Sequence, residues 1–217
     1  MIKLTNIEKS YQTNLVLRGV SLNIEAGEFI SIMGVSGSGK STLLNVIGAL
    51  DRRFEGEAWV AGQELKKLGD REISNFRNIT IGFVFQSFHL LPHLTCAQNV
   101  ALPAYFNSRL SETEIGGRVE TSLEQVGLVH KRSEFPLHLS GGERQRIAIA
   151  RALFNAPKVI LCDEPTGALD SKTGHQIMEL FQSLNRETGV TLIVVTHESS
   201  VSELADRIIR IEDGKVV

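Results

Sequence analysis

Cysteine is scarce in this chain: 217 residues contain two, Cys96 and Cys162, far apart and in different contexts. The two could pair. However, Cys162 ends an apolar stretch and reads as a small buried hydrophobe, which suits a reducing cytoplasm. A long apolar run is also lacking, and no window reaches the length a bilayer crossing needs. The opening Met1-Ile2-Lys3-Leu4-Thr5-Asn6 lacks the basic-then-apolar layout of a secretory signal. Excess charge is missing too. A formal net charge of −2 implies no strong pull toward nucleic acid or anionic lipid, and no nucleic-acid partner is expected. There is no low-complexity linker and no internal repeat. What is present is an ordinary globular composition, long enough for one domain over residues 1–217 with a substantial core.

Short strand signals alternate with Gly turns early in the chain: Ile2 to Glu8, Leu22 to Ile24, Phe29 to Met33, and Ala58 to Val60 between Gly56 and Gly62. A further strand is expected from Ile79 to Phe85. Lys158 to Cys162 and Val190 to Val195 are short, apolar and β-branched, as strands of a parallel sheet covered on both faces should be. Ser171 to Glu187 reads as a helix between them. Ser111-Glu112-Thr113-Glu114 is a capping box that opens a helix toward Val126. The alternation predicts an α/β core with right-handed crossovers. From His89 to about Phe135 the alternation breaks, and the stretch reads as a helical insertion.

Residues 34 to 41, Gly-Val-Ser-Gly-Ser-Gly-Lys-Ser, have the spacing G-x-x-x-x-G-K-S. They stand between the apolar strand Phe29–Met33 and a helix opening at Thr42-Leu43-Leu44. This is the strand–loop–helix setting of a phosphate-binding loop. Gly34, Gly37 and Gly39 let the backbone curl its N–H groups around a polyphosphate, with Ser36, Ser38 and Thr42 completing the loop. Lys40 is placed to reach the outer phosphates, and the Ser41 hydroxyl to bind Mg²⁺. The helix start adds partial positive charge. A glycine-rich turn that binds nothing is the bland alternative, and it requires the Lys-Ser pair to be chance. Val159-Ile160-Leu161-Cys162-Asp163-Glu164 is an apolar strand ending in two carboxylates. Asp163 suits Mg²⁺, and Glu164 is free to orient or deprotonate an attacking water. Taken alone, this pair is equally a solvated acidic turn.

Leu139-Ser140-Gly141-Gly142-Glu143-Arg144-Gln145 adds a second feature. Ser140 and Glu143 form an S-x-x-E box that starts a helix running to about Leu153. Gly141 and Gly142 leave its first turn without side chains, which makes a second anion-binding terminus. With this stretch the chain resembles the nucleotide-binding subunits of ABC transporters, and the resemblance covers nearly its whole length. It implies an α/β P-loop ATPase with a RecA-like core and an antiparallel β subdomain. It also implies an inserted α-helical subdomain, about 88–135, extending into the signature helix 140–154. By the same resemblance Tyr11 stacks on adenine, and Gln86 touches Mg²⁺ and the attacking water. Asp170, in Ala168-Leu169-Asp170, belongs to the loop after the acidic strand. His197 contacts the γ-phosphate. His89, His93, His130, His138 and His175 match no such role and are expected to be structural or on the surface.

The resemblance further implies that two subunits pair head-to-tail around two Mg-ATP, each nucleotide lying between one chain's loop and the other's signature. An integral membrane permease would dock near Gln86 to Leu94, with Phe88, Leu90, Leu91 and Leu94 as candidate contacts, on the cytoplasmic face of the inner membrane. Ile81 to Pro92 and Thr95 to Leu102 look like the MacB/LolD group, whose members drive lipoprotein release or efflux through a periplasm-spanning partner. A regulatory ATPase that drives cell-wall hydrolases without moving a solute would share every one of these residues. A chromosome-structuring ATPase is disfavoured, because the interval before the signature lacks sustained heptads and contains Pro92, Pro103 and Pro136. The chain could be a stand-alone subunit or the ATPase part of a longer fused protein.

Overall fold

In the computed structural model of the chain, residues 1–106, 110–198 and 202–217 are described. The strands are β1 (Ile2–Tyr11), β2 (Asn14–Ile24), β3 (Phe29–Met33), β4 (Glu55–Val60), β5 (Gln63–Glu64), β6 (Ile81–Phe85), β7 (Val159–Asp163), β8 (Thr191–Val195), β9 (Arg207–Glu212) and β10 (Lys215–Val216). The helices are α1 (Lys40–Ile47), α2 (Asp70–Thr80), α3 (Cys96–Ala101), α4 (Glu112–Gln125), α5 (Gly141–Leu153) and α6 (Ser171–Thr188). Two sheets form, an antiparallel one in the order β2-β1-β4-β5 and a six-stranded one in the order β10-β9-β3-β8-β7-β6. From β9 through β6 every neighbouring pair in the second sheet is parallel.

The period-2 alternation of those strands divides the core. Ile160, Cys162, Leu192 and Val194 join residues of α3, α4, α5 and α6 on one face. Val159, Leu161, Ile193 and Val195 join α1 and the antiparallel sheet on the other. A sheet covered on both faces needs continuous apolar strands, which is why β7 and β8 read so plainly. Both cysteines are buried and free.

Three expectations need correction. First, β2 begins at Asn14, eight residues before Leu22. The β1–β2 ladder slips register between Leu4 and Ile7, Ile7 and Glu8, and Lys9 and Ser10, so alternation is scrambled along the hairpin. Second, β6 begins at Ile81, because α2 runs through Thr80. That helix buries Ile73 and packs the half-buried Phe76 beside it, a stripe too short to set it apart from the strand that follows. Third, the insertion is not helical throughout. The 3-10 turns Leu102–Phe106 and Val129–Lys131 interrupt it, and residues 107–109 lie outside the described part. Elsewhere the capping boxes act as read. The Ser111 hydroxyl accepts from Glu114 N–H at 3.3 Å, and the Glu114 carboxylate accepts from Ser111 N–H at 2.8 Å. Among the described residues no helix is long and apolar enough to cross a membrane.

Candidate functional site

β3, β6, β7 and β8 are parallel, so their C-terminal ends share one edge of the sheet, where open α/β sheets bind ligands. Met33 leads into the glycine loop, Phe85 into Gln86, Asp163 into Glu164, and Val195 into Thr196 and His197.

The glycine loop needs its glycines for two different reasons. A Cβ on Gly34 would come within 2.2 Å of the Ile211 carbonyl oxygen, so β9 closes against the loop there. Gly39 sits at φ +106 as the residue before α1, a conformation that side chains resist. No side chain caps α1, so its first N–H groups remain available. The buried Lys40 ammonium donates to the carbonyls of Gly34 (2.8 Å) and Val35 (2.9 Å), which holds it inside the curl of the loop. The Ser38 hydroxyl is buried with no hydrogen-bond partner. Bare N–H groups, an enclosed cation and an orphaned hydroxyl around one turn fit a polyphosphate.

Ser41, Gln86, Asp163 and Glu164 line a single cleft beside the loop, together with Phe85, Ser87 and His89. The Ser41 hydroxyl donates to Asp163 Oδ1 at 3.1 Å. Burial raises the Asp163 pKa and the neighbouring Glu164 charge adds to it, while Ser41 and Lys40 oppose the shift. A hydroxyl, a carboxylate and an amide oxygen are hard donors. The set fits a magnesium ion that shares its coordination with a nucleotide.

Glu164 has φ +50, left-handed backbone at a residue with a side chain. Its N–H bonds the Val195 carbonyl (2.9 Å), and its own carbonyl accepts from Gly167 (3.1 Å), so neighbouring strands and the following turn impose the strain. The carboxylate meets His197 Nδ1 at 2.9 and 2.8 Å through its two oxygens. The hydrogen bond and the charge of Glu164 raise the His197 pKa. The stabilisation from this pair is therefore full below the ordinary imidazole pKa and is lost as pH rises through the elevated one.

Tyr11 lies at the β1–β2 turn, 45% exposed. Its hydroxyl donates to Asp51 Oδ2 (3.1 Å), and Lys9 Nζ sits 4.6 Å from the ring centre. Lys9 also pairs with Asp51 at 2.8 Å. Burial would raise Asp51, but the bonds from Lys9, the Arg53 N–H and Tyr11 hold it below its usual value. Sequence reading missed Lys9 and Asp51, because only the fold sets Lys9 against the ring face and Asp51 against its hydroxyl.

The signature residues stand apart from this cleft. Ser140 caps α5, with its hydroxyl accepting from Glu143 N–H (3.3 Å) and donating to Glu143 Oε2 (2.8 Å). The glycines there have a packing role as well: a Cβ on Gly142 would reach Thr173 Cγ2 at 2.6 Å, and one on Gly141 would meet Leu169 at 3.1 Å. Asp170 caps α6, taking the Thr173 N–H (3.0 Å) and hydroxyl (2.6 Å). Gln145, fully buried, donates to the Pro165 carbonyl at 2.6 Å and so ties α5 to the turn after Glu164. The five histidines given no role are exposed. Of these, His138 and His175 pair with Glu134 and Glu179 on the surface.

The ABC transporter family model matches residues 17–167. The macrolide export ATP-binding/permease protein MacB of Rhodopirellula baltica is 48% identical, over 100% of this chain and 32% of its own length. The lipoprotein-releasing system ATP-binding protein LolD of Pseudomonas syringae is 44% identical, over 98% of this chain and 95% of its own. Among solved structures, the ATP-binding cassette MJ0796 of Methanocaldococcus jannaschii, a dimer in a post-hydrolysis state bound to ADP and Pi, superposes with a TM-score of 0.89. It is 48% identical and is covered over 96% of its length by all of this chain. With the loop, the acidic strand and the signature in place and these likenesses spanning the chain, it belongs to the ABC transporter family as an ATPase subunit of the MacB/LolD-like kind.

Proposed function

We propose that two copies of the chain close around two ATP molecules and, by hydrolysing them, drive a membrane permease in export or extraction. The observation that carries this is the separation of two anion-receptive helix starts, α1 behind the glycine loop and α5 behind Ser140, with the signature residues outside the cleft of Ser41, Asp163 and Glu164. One nucleotide bridging the first of one copy and the second of its mate uses both. The dimeric MJ0796 cassette and the names of the MacB and LolD relatives support the reading.

In this reading residues 34–42 hold the phosphates and Tyr11 stacks on the base. Ser41, Asp163 and Gln86 would hold a magnesium ion, which would supply charge neutralisation at the phosphate oxygens. Glu164 takes a proton from water as its oxygen bonds to the γ-phosphorus, and the bond to the β–γ bridging oxygen breaks. Gln86 orients that water. His197 holds Glu164 and faces the γ-phosphate. Ser140, Gly141 and Gly142 of the mate donate to the same phosphate, with Asp170 setting the loop between them. The chain is one cassette over residues 1–217, with a helical lobe near 88–135 running into 140–154. It sits on the inner face of the membrane by binding the permease, through which a periplasmic adaptor is reached. Likeness to macrolide-export and lipoprotein-release proteins favours this over control of a cell-wall hydrolase.

Mixing tests the shared site. Lys40→Met and Gly141→Asp chains are each expected to lose about a hundredfold in ATPase rate. Combined, they should recover activity in part, since one intact loop then meets one intact signature. No recovery would refute the sandwich. The permease contact rests on the segment after Gln86, where Leu91 is 39% exposed while Leu90 packs against the core. Leu91→Glu should abolish co-purification with the membrane subunit and leave the isolated ATPase rate within about twofold, as surface changes do. Retained co-purification would remove Leu91 from the contact.

A further inference from the structure

The backbone just after Gln86 takes an unusual course. Phe88 and His89 have φ of +57 and +49, two consecutive side-chain-bearing residues in the left-handed region. Such a pair persists only where its surroundings impose it. Besides the turn's own bonds from Phe88 N–H to Phe85 and His89 N–H to Ser87, one side chain holds both of its carbonyls. From the last turn of α5, the half-buried Arg151 guanidinium donates to the Phe88 carbonyl (2.7 Å) and to the His89 carbonyl (2.5 Å). Its planar fork matches two carbonyls brought to one side by the left-handed turn, a match no other side chain offers. Two turns earlier on the same face of α5, the Arg144 guanidinium lies 5.4 Å from the centre of the Phe88 ring and donates to the Leu139 carbonyl. The helix that opens at Ser140 thus grips the loop beginning at Gln86 at two points.

We infer that Arg151 is a positioning residue for ATP hydrolysis, setting where Gln86 stands in the cleft by clamping the carbonyls of Phe88 and His89 to the signature helix. Gln86 has little covalent reason to stay put. It is exposed, and among the described contacts its amide packs near Gly167, where an added Cβ would lie 2.8 Å from Nε2. Its placement depends on the loop beyond it, and that loop depends on Arg151. The inference rests on the proposed role of Gln86 in the hydrolytic site.

A double-mutant cycle on the full chain separates the two claims. Steady-state ATPase is measured for wild type, Gln86→Ala, Arg151→Met and the double variant; Met keeps the length and apolar stem of the arginine. Each single variant should lower kcat by about tenfold or more, with KM for ATP within about twofold, as expected when positioning rather than binding is lost. The double variant should be no slower than Gln86→Ala alone to within about twofold, because Arg151 would have nothing left to position. Arg151→Lys, which can reach only one carbonyl well, should fall between wild type and Met. If Arg151→Met costs the same factor in the Gln86→Ala background as in wild type, or costs nothing, the inference is overturned. If Gln86→Ala itself is fully active, the role of Gln86 fails first. Should thermal melting show Arg151→Met unfolded, the cycle is run with Arg151→Lys and read by the same criterion.

Discussion

Replacing Glu164 by glutamine should leave nucleotide binding intact, lower ATP turnover by about a hundredfold to ten-thousandfold, and trap a dimer in Mg-ATP. The amide has the shape of the carboxylate but cannot accept the proton of the attacking water. The backbone that places the side chain keeps its left-handed φ, the bond to Val195 and the bond from Gly167, and a glutamine can still bond His197 Nδ1. The geometry should therefore survive the exchange. The same substitution removes the charge that elevates His197, so the imidazole pKa should fall toward its ordinary value. Phosphate release, gel filtration with Mg-ATP and an imidazole NMR titration read the three effects. A variant that hydrolyses ATP at the wild-type rate would remove Glu164 from the base position.

Asn99→Ala should be among the most destabilising single changes in the insertion, by about 3 kcal/mol, because a fully buried amide is removed and the Leu91 N–H and the Leu94 carbonyl lose the partner it supplied. Asn99 is fully buried in α3. Its two amide hydrogens are shared among the carbonyls of Leu91 (3.1 Å), Leu94 (3.1 Å) and Thr95 (3.0 Å), and its oxygen accepts from Leu91 N–H (2.8 Å). One side chain thus holds the turn between Gln86 and α3. Chemical denaturation should show the lowered midpoint. Asn99→Asp should fare almost as badly, since a carboxylate keeps the acceptor and loses the donors. Stability within about 0.5 kcal/mol of wild type for the alanine variant would show that water replaces the amide.

Much of the architecture was legible because it depends on local patterns. β3, β7 and β8 stand out as short apolar runs, α4 and α5 by their capping boxes, and α6 as the helix between two such strands. Ser41, Gln86, Asp163 and Glu164, spread over the chain, fall in one cleft because each follows or ends a parallel strand. What stayed hidden depends on contacts between distant segments. α2 has only the short pair Ile73 and Phe76 to betray it. β2 is disguised by slipped register. Lys9 and Asp51 are ordinary surface types until the fold sets them against Tyr11. Gly142 was read as a bare helix start, yet the methyl of Thr173 gives it a second reason to be glycine. No sequence pattern couples Arg151 to two carbonyls more than sixty positions away.

The glycine loop leans on residues that come far later in the sequence. Ile211 closes against Gly34, Gly214 N–H donates to the Ser38 carbonyl at 3.1 Å, and β9 pairs with β3. A ribosome releases these segments in the opposite order to that in which the loop needs them. During synthesis the nascent chain carries the residues for phosphate capture long before it has the support that shapes them. Competence to hold a nucleotide should accordingly arrive only when the hairpin of β9 and β10 has emerged, and not gradually as the polypeptide lengthens.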